Sequence, residues 1–228
     1  LDTHRDEIFE ANARDLNLAD VKGVSNQIVK RLKFGEEKLA EVISGIDSLI
    51  SLPDPLGRTV LRRELDQGLV LNKVTCPIGV IGVIFESRPD AMVQVSTLCI
   101  KSGNCAVLKG GSEAEFTNAA LFKVISEAAY GAGIPEGALL QAVTHADIEE
   151  LLWADRYIDL LIPRGSNQFV KYIMDNTNIP VMGHADGKCS IYVDRAADVD
   201  KACRVIVDAK IQYPAACNAV ENLYIHRD

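Results

Sequence analysis

A doubly wound α/β fold, with helices on both faces of a parallel sheet, is predicted by three features of the chain. The first is an almost unbroken apolar run, Ile78-Gly79-Val80-Ile81-Gly82-Val83-Ile84-Phe85, the pattern of a strand covered on both faces. The second is a strand–helix alternation from there to Met182. The third is bulk composition: 228 residues, 48% hydrophobic and 25% charged, enough for one large α/β domain, or a main domain with part of a second.

Before that run, apolar residues from Asp6 to about Ser51 recur at helical spacing, as in Ile28, Leu32, Leu39, Val42 and Ile46, which predicts two or three amphipathic helices. Ser51-Leu52-Pro53-Asp54-Pro55-Leu56-Gly57 breaks the pattern. Thr59 to Leu65 and Leu69 to Val74 flank Asp66-Gln67-Gly68 and read as a hairpin across residues 58–75. An isolated hairpin is marginally stable, so this one is expected to pack on another element.

From Phe85 onward the rhythm predicts helix 89–101, strand Ala106 to Lys109, helix 112–130, strand Leu139 to Val143 and helix 147–154. Strand Ile158 to Ile162, helix 166–176 and strand Pro180 to Met182 complete this part. A second unit is expected over residues 184–228, with strand Ser190 to Val193, helix 198–210, a turn at Cys217 and strand Val220 to Ile225. The first unit is then residues 1–183.

With 32 acidic and 24 basic residues the net charge is −8. No run of Lys or Arg interleaved with aromatics is present, which argues against nucleic acid as a partner. Cys76, Cys99, Cys105, Cys189, Cys203 and Cys217 form no CxxC pair. They read as reduced thiols of a reducing compartment, without a disulfide scaffold or a metal site. No apolar stretch approaches the roughly 20 residues needed to cross a bilayer, so a cytoplasmic location without membrane attachment is expected. The chain begins at Leu1 without methionine, which leaves a removed targeting segment open.

Parallel sheets bind ligands at the carboxyl ends of their strands, and the polar residues there are the candidates. Lys109-Gly110-Gly111-Ser112 follows one strand. Ser112 and Glu115 have capping-box spacing, and the helix end would offer N–H groups to an anion beside the Lys109 charge. An ordinary capped helix is the alternative. Arg164-Gly165-Ser166 repeats the arrangement after another strand, and two such ends favour a phosphate-bearing ligand. GxGxxG is absent after every candidate strand, and Gly131-Ala132-Gly133 reads as a helix terminator. Ser87 and Arg88 lie in Phe85-Glu86-Ser87-Arg88-Pro89. Arg88 could clamp a carboxylate or phosphate with two hydrogen bonds, or pair with Glu86 or Asp90 at the surface. His184 sits in the turn Gly183 to Gly187. Cys217, in Gln212-Tyr213-Pro214-Ala215-Ala216-Cys217-Asn218, occupies a small-residue turn between a helix and a strand, where a thiolate nucleophile would be accessible.

Together, Phe85-Glu86-Ser87-Arg88-Pro89-Asp90, Leu108-Lys109-Gly110-Gly111, Ile162-Pro163-Arg164-Gly165-Ser166, Pro180-Val181-Met182-Gly183-His184 and Pro214-Ala215-Ala216-Cys217-Asn218-Ala219-Val220-Glu221 resemble the gamma-glutamyl phosphate reductases of the aldehyde dehydrogenase superfamily. The resemblance covers nearly the whole chain. It implies an aldehyde dehydrogenase-like fold and NADPH-dependent reduction of L-glutamyl 5-phosphate to glutamate 5-semialdehyde in proline biosynthesis.

On this resemblance Cys217 is the nucleophile and Asn218, Ser87 or the Cys217 N–H is an oxyanion donor. Lys109, Gly110, Gly111 and Ser112 meet the adenosine ribose and 2′-phosphate; Arg164, Gly165 and Ser166 adjoin the pyrophosphate; Ser87, Arg88 and His184 face substrate. It further implies a homo-oligomer, with the 58–75 hairpin as part of the oligomerisation arm, and association with glutamate 5-kinase.

Family members continue past the strand after Cys217. Residues 184–228 are thus expected to be the first part of a catalytic domain, and a chain ending there to be weakly active and prone to associate. Two other readings stand beside this one. They are a hydrolytic NAD(P)-dependent aldehyde dehydrogenase, opposed by the lack of a water-activating glutamate in the Gly183 to Gly187 turn, and a non-catalytic nucleotide-binding fragment.

Overall fold

A computed structural model describes residues 1–183, 187–214 and 218–227. The chain divides into two compact units, Leu1–Gly183 and His184–Asp228.

The first unit is built on four parallel strands, β3 (Val80–Phe85), β4 (Cys105–Lys109), β5 (Leu139–Ala142) and β6 (Leu160–Arg164), in the order β5-β4-β3-β6. The predicted strand Pro180 to Met182 contributes a single parallel bridge, Val181 to Leu161. β3 therefore lies in the interior of the sheet, as its apolar run requires. Ile81, Val83 and Phe85 join one buried cluster with Met92, Leu108 and Leu121. Ile84 joins another with Leu151, Leu161 and Ile173. This is the two-residue alternation of a strand covered on both faces.

Helices α4 (Pro89–Lys101) and α5 (Glu115–Gly131) link β3 to β4 and β4 to β5. Pro89 opens α4 at its first position, where the missing N–H has no helical partner to lose. Helices α6 (His145–Leu152) and α7 (Asn167–Asp175) precede and follow β6. The amino-terminal helices α1 (Arg5–Val21), α2 (Asn26–Leu32) and α3 (Glu36–Ser51) form an outer layer, with α1 against α5 and α3 against α4.

β6 begins two residues later than its apolar pattern implied and includes Pro163. Leu161 N–H donates outward to Pro180 O (2.9 Å). Pro163, two residues on, has its ring nitrogen on that same outer side, so no ladder bond inside the sheet is lost.

The hairpin forms as β1 (Thr59–Asp66) and β2 (Leu69–Val74), antiparallel, with Gly68 at φ +75° in the turn. Every residue of both strands is exposed, including Leu61, Leu65, Leu69 and Leu71.

In the second unit, β7 (Cys189–Val193) and β8 (Val220–Ile225) pair in parallel. They are joined through α8 (Val199–Ile211), whose amino end is capped by Asp198 accepting from Lys201 N–H (2.9 Å).

Candidate active site

The strand order places a topological switch point in the first unit. From β3 the chain steps to β4 and β5 on one side, then returns to β6 on the other, so the turns after β3 and β6 diverge and leave a crevice at their carboxyl ends. Ile84 pairs with Lys109 and Phe85 with Arg164. The registers thus gather Ser87 and Arg88, the Lys109–Ser112 turn and the Arg164–Ser166 turn along one sheet edge. Asn218 lies in the second unit, exposed just before β8. Cys217 and His184 lie outside the described residues.

The Lys109–Ser112 turn departs from the capping-box expectation. Ser112–Ala114 forms a 3-10 turn and α5 starts only at Glu115, with no side-chain cap bond of its own. The cap comes from α1. The Asp15 carboxylate accepts from Phe116 N–H (3.1 Å), Thr117 N–H (2.8 Å) and Thr117 Oγ1 (2.5 Å). The N–H groups expected to be open to an anion at this helix end are, at Phe116 and Thr117, already held by a carboxylate. Beside it, Asn12 bridges Thr117 Oγ1 (3.1 Å), Leu32 O (2.7 Å) and Phe34 N–H (2.9 Å), tying α1 and α2 to the start of α5.

Lys109 is buried, with Nζ donating to Gly110 O (2.6 Å). Burial pushes its pKa down, opposed by the charges of Asp147, Glu113 and Glu115. At Gly110 a Cβ would lie 2.2 Å from Asn118 Nδ2, so only glycine fits. Asn118 is buried, and its Oδ1 has no hydrogen-bond partner among the described residues. Gly110, Ser112, Asn118 and Gln141 line a small hollow there.

After the Arg164–Ser166 turn a helix follows the glycine, beginning at Asn167. Ser166 Oγ accepts from Phe169 N–H (3.3 Å) and caps α7. A Cβ at Gly165 would lie 3.1 Å from the Glu86 carboxyl and 3.0 Å from the Phe169 ring. Partial desolvation of the Glu86 carboxyl, then the charge of Glu113, raises its pKa above the ordinary 4.5, against a smaller lowering by Arg31 of α2.

Ser87 is buried, and it is the one non-glycine residue at positive φ (+43°) among the described residues. Its N–H donates to Glu113 Oε1 (2.7 Å), and its hydroxyl donates to the same oxygen. Arg88 is largely exposed and takes the surface-pair alternative in part, with Nη2 3.7 Å from the buried Asp90 carboxylate.

Sequence reasoning missed Asp15, Arg31, Glu113 and Asn118. An acidic residue inside a glycine turn was the available signal for Glu113; the others depend on contacts between distant segments. Among the remaining cysteines, burial pushes the Cys99 thiol up to about 11, with the neighbouring Cys105 adding to it, so it is an inert core thiol.

The aldehyde dehydrogenase family model matches residues 7–228. The chain belongs to the aldehyde dehydrogenase family. Within that family it is 59% identical to a gamma-glutamyl phosphate reductase of Pelotomaculum thermopropionicum over 97% of this chain and 51% of the relative. It is 57% identical to that of Acetivibrio thermocellus over 98% of this chain and 52% of the relative. Among solved structures, the gamma-glutamyl phosphate reductase of Thermotoga maritima superposes with a TM-score of 0.94 at 37% identity, covering 99% of this chain and 55% of that one. The chain thus spans about half the length of the curated relatives it matches. The chain shares with these relatives an aldehyde dehydrogenase-like α/β fold with a parallel sheet, and the family implies a nicotinamide cofactor. No helix among the described residues is long and apolar enough to cross a membrane.

Proposed function

We propose that this chain carries the cofactor unit and the nucleophile of an NADPH-dependent reductase that converts L-glutamyl 5-phosphate to L-glutamate 5-semialdehyde and phosphate, in the cytoplasm, for proline biosynthesis. The observation that carries the reading is the 57–59% identity to gamma-glutamyl phosphate reductases over nearly all of this chain. The site offers groups suited to a dinucleotide. Gly165 and Ser166 open α7 where a pyrophosphate can approach backbone closely. Lys109 brings a cation to the neighbouring turn, and the partnerless Asn118 Oδ1 beside Gly110 is an acceptor suited to a ribose hydroxyl.

In this mechanism the Cys217 thiolate attacks the γ-acyl carbon, and the C–O bond to phosphate breaks with its electron pair leaving on phosphate. A thioester on Cys217 results. The Cys217 N–H and the Asn218 amide stabilise the oxyanion that develops. The Ser87 hydroxyl proton is already given to Glu113, so Ser87 acts on substrate as an acceptor, while Arg88 receives an anionic group. NADPH, when bound, supplies the hydride that releases the thioester as aldehyde. In sequence His184 takes the position at which hydrolytic relatives carry a water-activating glutamate, and the lack of that base protects the thioester from hydrolysis.

The exposed apolar hairpin is suited to burial between copies of the chain, and association with glutamate 5-kinase would shorten the exposure of a labile acyl phosphate to water. NADP reduction by glutamate 5-semialdehyde, in the protein carrying this chain, tests the reading: it is expected to need both inorganic phosphate and Cys217. Activity without phosphate would make the enzyme a hydrolytic dehydrogenase, and its complete absence a non-catalytic relative.

A further inference from the structure

Three features of the sheet edge converge on one carboxylate. Ser87 is held at a φ of +43°, a conformation that a residue with a side chain keeps only when its surroundings over-determine it. Both of its donors, N–H and O–H, go to Glu113 Oε1. Glu113 reaches them by folding back over Gly111, where a Cβ would lie 2.5–2.6 Å from the carboxylate atoms. Any other residue at 111 would push Glu113 away from Ser87. The same β3 turn touches the third turn of the edge through Glu86, whose carboxyl lies against Gly165.

We infer that Glu113 is a positioning residue, whose carboxylate clasps Ser87 and so holds the turn after β3 and the turn after β4 as one preorganised unit. This rests on reading the edge as a dinucleotide site. Ordering either turn then orders the other: the adenosine-side turn Lys109–Ser112 cannot move without carrying Glu113, and Glu113 cannot move without releasing Ser87 from its constrained backbone conformation. Cofactor affinity thereby depends on a serine that belongs to a different turn.

A double-mutant cycle on NADPH binding, followed by nucleotide fluorescence, tests this, because comparing Ser87→Ala in two backgrounds cancels the direct effect of the Glu113 charge on an anionic ligand. Ser87→Ala is expected to weaken NADPH roughly 5- to 30-fold when Glu113 is present, and by less than about twofold once Glu113→Ala is in place. Equal losses in both backgrounds, or none in either, would overturn the clasp.

Amide exchange at Ser87 separates this result from failure of the functional reading. The clasp predicts a protected Ser87 N–H that exchanges at least about tenfold faster in Glu113→Ala. Protection with no NADPH binding by the unaltered protein would keep the Ser87–Glu113 bond but remove the dinucleotide role and the inference with it. Exchange unaffected by Glu113→Ala would remove the clasp itself.

Discussion

Asp15 caps a helix that begins 100 residues further along the chain: its carboxylate takes the N–H groups of Phe116 and Thr117 and the Thr117 hydroxyl, at 2% exposure. Asp15→Ala leaves three donors without this partner, the two on Thr117 buried and the Phe116 N–H partly so. The expected loss is about 2–4 kcal/mol of folding free energy, from the lost cap and the stranded donors, read from denaturant midpoints. A loss below about 0.5 kcal/mol would mean that water replaces the carboxylate at no cost.

At Gly110 a methyl group would meet the amide of Asn118, which is buried. Gly110→Ala is expected to cost about 1–3 kcal/mol through overpacking. Adding Asn118→Ala should recover part of it, because the obstructing amide is gone. Thermal melts of the two variants check the order; a double variant as unstable as the sum of both singles would contradict the contact.

Glu86 is ordinarily ionised above 4.5, but here its pKa is raised. Below 4.5 the carboxyl is neutral in folded and unfolded chains alike. As the pH rises the unfolded chain ionises first, so stability falls until the pH has passed the raised folded value. Glu86→Gln is therefore expected to stabilise the protein at pH 7 relative to pH 4. A dinucleotide pyrophosphate beside Gly165 would raise the pKa further, so binding takes up protons and weakens as the pH rises through that range. Calorimetry in two buffers of different ionisation heat should detect the uptake, and Glu86→Gln should abolish it.

Lys109 tests the choice of cofactor. Lys109→Met keeps the buried stem and removes the ammonium, and it is expected to weaken NADPH about tenfold more than NADH if the charge meets a 2′-phosphate. Equal losses for the two nucleotides would take Lys109 away from that phosphate and leave it as a support for Gly110 O.

The strand–helix order of the first unit is legible because each core strand carries its own apolar signature and the turns, except the two flanking α6, carry a glycine or proline. β6 was misplaced by two residues, since Pro163 reads as a break until Val181 explains what lies on its outer side. At the site, a local feature such as the helix start just after Gly165 can be read directly. The Ser112 and Glu115 spacing misled, because a capping box competes with partners that spacing cannot reveal: Asp15 took the helix end, and Glu113, one residue along from Ser112, turned to Ser87 instead. Sequence carries the residue types at a sheet edge, whereas their pairing depends on which strands become neighbours.

The central position of β3 also has a consequence during synthesis. One flank closes when β4 emerges from the ribosome, but the other waits for β6, after two further helices and β5 have been translated. In that interval the growing polypeptide presents an apolar strand with an unpaired edge, the kind of segment that chaperones shield and that neighbouring nascent chains can capture. Slowed translation between β5 and β6 should therefore lower the soluble yield of this protein more than slowing anywhere after Arg164.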